Sequence, residues 1–177
     1  DDSGMVVRSL DLGAQPDVLG IDLESSQSRL SVGLRGSKDL LRCYDAAGAL
    51  KFEAEVGKLW NLASDPQGTW VTVENNKRLL RLDLSGAQLF QLQLDKETDK
   101  PVNALAADPL DSSIWVARDT GIGHISAQGT SLLFLSTDGK VKDVALYVDT
   151  IAPTLQITSP REGEKVESSR PAIELSY

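Results

Sequence analysis

Four positions along the chain carry groups suited to recognition chemistry: Asp17, Trp60, Asn103 and Lys142 offer a carboxylate, an indole, an amide and an ammonium. The first three stand 43 residues apart, and each is followed two and three residues later by an aliphatic and a small residue. The following columns read Leu19, Leu62, Leu105 and Val144, then Gly20, Ala63, Ala106 and Ala145. A position that changes chemistry while its neighbours keep theirs is free of packing constraint and open to a ligand. Trp60 would give a sugar ring or a peptide side chain a face to stack on. Asp22, Asp65 and Asp108 share the period and each close a short apolar run, and counting back from the hairpin turns places Cys43, Arg81 and His124 in one column. Hard cations need several oxygens converging on one point, and in the first series only Asp17 and Asn103 supply one. A nucleophilic cysteine needs a base within hydrogen-bond reach, whereas equivalent positions on successive repeats are held apart. Cys43 and His124 are therefore expected to be structural, and no catalytic residue is assigned. The repeated aspartates are expected to cap their own backbone at strand-to-turn junctions.

The elements that must position these residues repeat with the same period. Inner strands are expected over Pro16–Asp22, Leu59–Asp65 and Val102–Asp108, each followed by a turn rich in Pro, Gly, Ser or Asp. Second strands follow at Leu30–Leu34, Trp70–Val73 and Ile114–Ala117, with the branched and aromatic content of half-buried strands. Leu30, Trp70 and Trp115 read as equivalent core positions there. Third strands at Leu41–Asp45, Leu79–Asp83 and Gly123–Ser126 end in hairpin turns with glycine at Gly48, Gly86 and Gly129. Fourth strands at Leu50–Val56 and Leu89–Leu94 alternate as outer strands with one wet face should. Repeats of some forty residues, each of four short strands, point to an all-β partial β-propeller of four-stranded antiparallel blades. In that frame the small column faces a crowded central channel, the leucine column fills the seams between blades, and Asp17, Trp60, Asn103 and Lys142 sit at the channel mouth.

Both ends continue this grammar before it stops. Met5–Leu12 alternates like the outer strand of a preceding blade, and Val141–Leu146 repeats the inner-strand pattern of a fourth. The expected division is 1–148 for the blades and 149–177 for a separate β segment. Rings close with roughly four to eight blades, so three whole units suggest a portion of a longer protein. Two alternatives remain: Val141–Tyr177 and Met5–Leu12 together close a four-bladed ring, or two copies associate through their open blade edges.

The stretch from Asp65-Pro66-Gln67-Gly68-Thr69-Trp70-Val71 through Asn76 to Asp83-Leu84-Ser85-Gly86 resembles a blade of the NHL and gluconolactonase-like propellers. That resemblance spans roughly residues 16 to 146. From Asp149, the run containing Pro153, Ile157, Ser159-Pro160 and Gly163 resembles the opening of a bacterial immunoglobulin-like domain, with Ile173–Tyr177 as its next strand. Together they imply a non-catalytic scaffold or binding module of a large secreted or surface-anchored bacterial protein of the Rhs or YD-repeat kind. Its partner would be a protein, peptide or carbohydrate, and no cofactor is implied. The alternative is a metal-dependent lactonase or lyase holding Ca²⁺ or Mg²⁺, since Asp65–Gly68 and Gly121–Ile125 are similar to streptogramin-lyase-like blades. That reading requires a channel-facing histidine, and His124 falls in a third strand.

Composition narrows the partners. The chain of 177 residues is 41% hydrophobic with a net charge of −8, which disfavours nucleic acid or anionic lipid, since phosphate binding needs clustered cations. No apolar run is long enough to span a bilayer, and the acidic opening Asp1-Asp2-Ser3-Gly4 does not read as a signal peptide. Cys43 is alone, so no internal disulfide forms.

Overall fold

A computed structural model describes residues 10, 12, 17–24, 26–94, 102–146, 156–159 and 174–176. The chain divides into two units, Asp1–Leu146 and Tyr147–Tyr177. The first holds three sheets of four antiparallel strands in sequential order. Blade 1 comprises β1 (Asp17–Glu24), β2 (Arg29–Arg35), β3 (Leu40–Tyr44) and β4 (Leu50–Glu55). Blade 2 is β5 (Leu59–Asp65), β6 (Gly68–Val73), β7 (Arg78–Asp83) and β8 (Gln88–Gln93). Blade 3 is β9 (Val102–Ala107), β10 (Ile114–Arg118), β11 (Gly121–Ile125) and β12 (Ser131–Ser136). Inner strand β5 contacts both β1 and β9. This is the all-β partial β-propeller with repeats of about 43 residues. Strand β12 carries no alternation to mark it in the sequence, because Leu132, Leu133, Phe134 and Leu135 form an unbroken apolar run.

Local chemistry sets the turns. Between third and fourth strands, one side-chain oxygen accepts two backbone N–H groups: Asp45 from Ala47 and Ala49, Asp83 from Ser85 and Ala87, Ser126 from Gln128 and Thr130. Gly48, Gly86 and Gly129 follow at φ of 76°, 83° and 86°, the left-handed region where a β-carbon is costly. The inner-to-second turns are also capped by acids, Asp65 accepting from Gln67 N and Asp108 from Leu110 N, both at 2.8 to 2.9 Å. In blade 1 the cap is Glu24, which accepts from Ser26 N and Gln27 N, rather than Asp22.

That substitution exposes a slip in the repeat. β1 bulges between Val18 and Gly20, β5 between Leu59 and Asn61, and in β9 residue Asn103 is skipped opposite Ala117 and Arg118. The structural equivalents are thus Leu19, Trp60 and Asn103, and Glu24 corresponds to Asp65. A shift between strands alters which face a side chain occupies. In this register Ile21 is the counterpart of Leu62, yet it is 65% exposed whereas Leu62 packs in a seam between blades. Ser31, paired to Cys43, is the counterpart of Trp70 and Trp115, paired to Arg81 and His124; Leu30 is not.

Two apolar seams hold the blades together. Leu41, Cys43 and Phe52 of blade 1 meet Leu59, Val71, Val73, Leu80 and Leu82 of blade 2, with Leu19 and Leu62 alongside. Ala63, Trp70 and Leu79 of blade 2 meet Val102, Ile114, Val116 and Ile125 of blade 3. The small column is explained here. Ala63 and Ala106 pair directly with Trp70 and Trp115, so the methyl makes room for an indole on the same face, and Ala63 is buried in a seam rather than lining a channel. Gly33 serves blade 1 similarly, since a β-carbon there would lie 2.9 Å from Leu59 Cδ2.

Of the expected outer strand Met5–Leu12, only Leu10 and Leu12 are within the described residues. Both pack against the Val32, Leu34 and Tyr44 cluster, and Leu12 O accepts from Arg42 Nη1 at 2.8 Å. Val141–Leu146 forms no strand. Its start stays beside blade 3, because Val141 O accepts from Asn103 Nδ2 at 2.7 Å and Val141 N donates to Arg118 O at 3.3 Å. In the second unit β13 (Gln156–Ser159) pairs antiparallel with β14 (Glu174–Ser176). The rest of the immunoglobulin-like stretch lies outside the described residues.

Candidate functional site

Bulges in β5 and β9 put Trp60 and Asn103 at the same end of adjacent inner strands. A bulge releases one residue from the ladder and re-aims its side chain. Trp60 is 40% exposed, and Lys58 Nζ lies 5.4 Å from its ring centroid, within cation–π range. Asn103 is tied down, its Nδ2 donating to Asp119 Oδ1 and to Val141 O. A comparable lock uses Asn61, which reaches Val102 O at 3.1 Å and Asn76 Oδ1 at 3.2 Å, while Thr72 Oγ1 donates to Asn76 at 2.5 Å. Both amides tie one inner strand to the start of the following segment, a linking role that the sequence pattern did not reveal. Asp17 is exposed two residues before the blade 1 bulge, opposite Arg35 on β2, and Lys142 is exposed just beyond the Asn103 lock.

Beside Trp60 lies a cavity of about 470 Å³, lined by Arg35, Lys38, Asp39, Glu55 and Lys58 among others. Asp39 builds its wall. The buried carboxylate accepts from Leu59 N at 2.9 Å and Gly36 N at 3.3 Å, and its carbonyl accepts from Val56 N. Lys38 pairs with Glu55 at 2.8 Å. Neither Arg35 nor Lys58 has an ion-pair partner among the described residues, and the Lys58 ammonium lies over the indole. Two cations are therefore left to a ligand in a chain of net charge −8.

Groups able to do covalent or metal chemistry are engaged elsewhere. Cys43 is fully buried in a seam, and burial pushes its thiol up. Arg81, its counterpart, forms a buried two-pronged pair with Asp65 at 2.5 and 2.8 Å and lies 4.8 Å from the Trp70 ring. His124 stacks on Trp115 at 4.2 Å and shares a 2.7 Å hydrogen bond with Ser113 Oγ. Asp22 accepts from Ser64 N of the next blade at 2.5 Å; burial raises its pKa, and that hydrogen bond only partly offsets the rise. Among the described residues no three His, Cys, Asp or Glu converge as a metal cluster.

No family model and no curated protein matches this chain. Among solved structures, it is similar to a chain in a structure titled "Crystal Structure of Mitotic Checkpoint Complex", with a TM-score of 0.59 and 19% identity. The match covers 79% of this chain and 45% of the other, so this chain spans less than half of that one's length. At that identity the likeness concerns the fold.

Proposed function

We propose that this chain is a non-catalytic propeller scaffold that binds a protein partner through the inner-strand end carrying Trp60. The carrying observation is the division of labour among its polar groups. Asp65, Arg81, His124 and Asn103 are engaged in internal contacts, whereas Trp60, Arg35 and Lys58 present an indole and two cations at one surface. A half-exposed tryptophan with a polar surround is the kind of anchor that dominates protein interfaces. The propeller-like neighbour comes from a structure titled as a complex, which fits a partner-binding role at this coarse level. The bacterial, surface-located setting implied by the blade and immunoglobulin-like resemblances belongs to the same proposal.

Calorimetric titration with Ca²⁺ and Mg²⁺, alongside hydrolysis assays on lactone and ester substrates, tests the reading. No stoichiometric heat and no turnover are expected. A tight one-to-one cation site with metal-dependent turnover would overturn it in favour of a lactonase or lyase. Screening peptide and glycan arrays with the native chain and with Trp60→Ala then locates the surface, since hits should weaken in the variant.

A further inference from the structure

We propose that the cavity beside Trp60 seats an acidic peptide segment, with a carboxylate on Arg35 and Lys58 and a neighbouring apolar side chain on the indole. This rests on the binding-module reading and names the chemistry of the partner. Three observations carry it. First, the cavity has a fixed shape, because buried Asp39 ties Gly36, Val56 and Leu59 together through three backbone N–H groups. Second, its charges are unequally satisfied. Asp39 is occupied by backbone donors and Glu55 by Lys38, which leaves the Arg35 guanidinium and the Lys58 ammonium for an anion. An arginine fork matches a carboxylate with two parallel hydrogen bonds, among the stronger polar contacts available. Third, Lys58 joins cavity and indole, lining one and lying 5.4 Å from the other's centroid. On an extended peptide, side chains two residues apart share a face and stand about 7 Å apart, so one can reach the cation pair while the next same-side residue covers Trp60. Asp17, opposite Arg35, and the lining carboxylates Asp39 and Glu55 are the nearby groups that oppose an anion, and of these Asp17 is the one with neither a backbone donor nor an ion pair among the described residues. A neutral or basic segment would leave both cations without a counter-charge, which is what selects against it.

The remainder of the chain is acidic and repels such a peptide at long range. That repulsion is screened beyond about 10 Å at 0.1 M salt, so contact with the two cations governs affinity there.

The probe is a capped hexapeptide alternating glutamate and phenylalanine, titrated by calorimetry at 0.1 M salt. Its controls are the glutamine counterpart and an oligogalacturonate. We expect saturable one-to-one binding that weakens about tenfold or more in Arg35→Gln and in the glutamine peptide, as loss of a charge-assisted pair implies. Trp60→Ala should also weaken it, and Asp17→Asn should tighten it. All three side chains substituted are at the surface, and unchanged thermal unfolding of each variant confirms folding. Equal affinity for the glutamine peptide, or indifference to Arg35→Gln, would overturn the anion assignment. Binding of oligogalacturonate in preference to the peptide would overturn it in favour of an acidic glycan. No binding of any probe overturns it too, while array hits that still require Trp60 leave the binding-module reading standing.

Discussion

Arg81→Met tests whether the blade 2–blade 3 seam depends on a buried ion pair. Asp65 is fully buried and Arg81 is 2% exposed. The carboxylate accepts both guanidinium prongs and Gln67 N, its carbonyl accepts from Arg29 Nη2 at 2.5 Å, and the guanidinium rests against Trp70. Methionine fills much of the stem's volume and keeps the contact with the indole, so the loss isolates the charge. Unit charges about 4 Å apart at an effective dielectric near 20 interact by roughly 4 kcal/mol. Removing one partner from a buried pair costs about 3–5 kcal/mol, because the other charge is stranded away from water. For a unit of this size each kcal/mol shifts Tm by about 2–4 °C, so a drop on the order of 6–20 °C is expected. Urea unfolding followed by tryptophan fluorescence measures the free energy. Asp65→Asn alone should cost a similar amount by stranding Arg81, yet the double variant should cost far less than the sum, since the asparagine still caps Gln67. A loss below about 1 kcal/mol in Arg81→Met, or strict additivity in the double variant, would refute the assignment of seam stability to this pair.

Three further outcomes are expected. A β-carbon at Gly68 would drive into the Leu82 carbonyl of the neighbouring strand, so Gly68→Ala should cost more than about 3 kcal/mol, against a few tenths for Gly139→Ala, which has open space around it. Cys43 should resist iodoacetamide at pH 8 in the native chain and react on unfolding, as mass spectrometry would show; rapid native labelling would mean that the first seam opens readily. Hydrogen bonds hold several turn acids below their ordinary range: the Ala49 amide acts on Asp45, the Ser85 hydroxyl and amide on Asp83, and those of Ser113 on Asp111. A depressed carboxylate stabilises the fold above its unfolded pKa, and that contribution is lost as pH falls through the lower folded value. Stability should therefore be flat from pH 7 to 5 and decline below about pH 4. Asp22, raised by burial, has the opposite sign, and Asp22→Asn should steepen the acid decline in urea titrations run from pH 7 to 3.

Features encoded within a few residues are legible in the chain alone. Asp45-Ala46-Ala47-Gly48 and Asp83-Leu84-Ser85-Gly86 carry their own acceptor and their own left-handed glycine. The turns, and with them the strand order of each blade, are therefore legible before any packing, and counting back from those turns places Cys43, Arg81 and His124 in one column that the pairing preserves. Tertiary structure decided register and partners. Spacing matches Asp22 to Asp65, but a bulge at Leu19 hands the capping role to Glu24 and turns Asp22 toward Ser64 of the next blade. The alanine column reads as a channel lining until its pairing with Trp70 and Trp115 shows that it accommodates indoles. The cavity beside Trp60 gathers Arg35, Glu55 and Lys58 from separate strands and loops, with no motif to announce it. The physical reason is common to all three. Turn chemistry is local, whereas side-chain direction flips with each residue along a strand and acquires its consequence only from whatever the next blade brings against it.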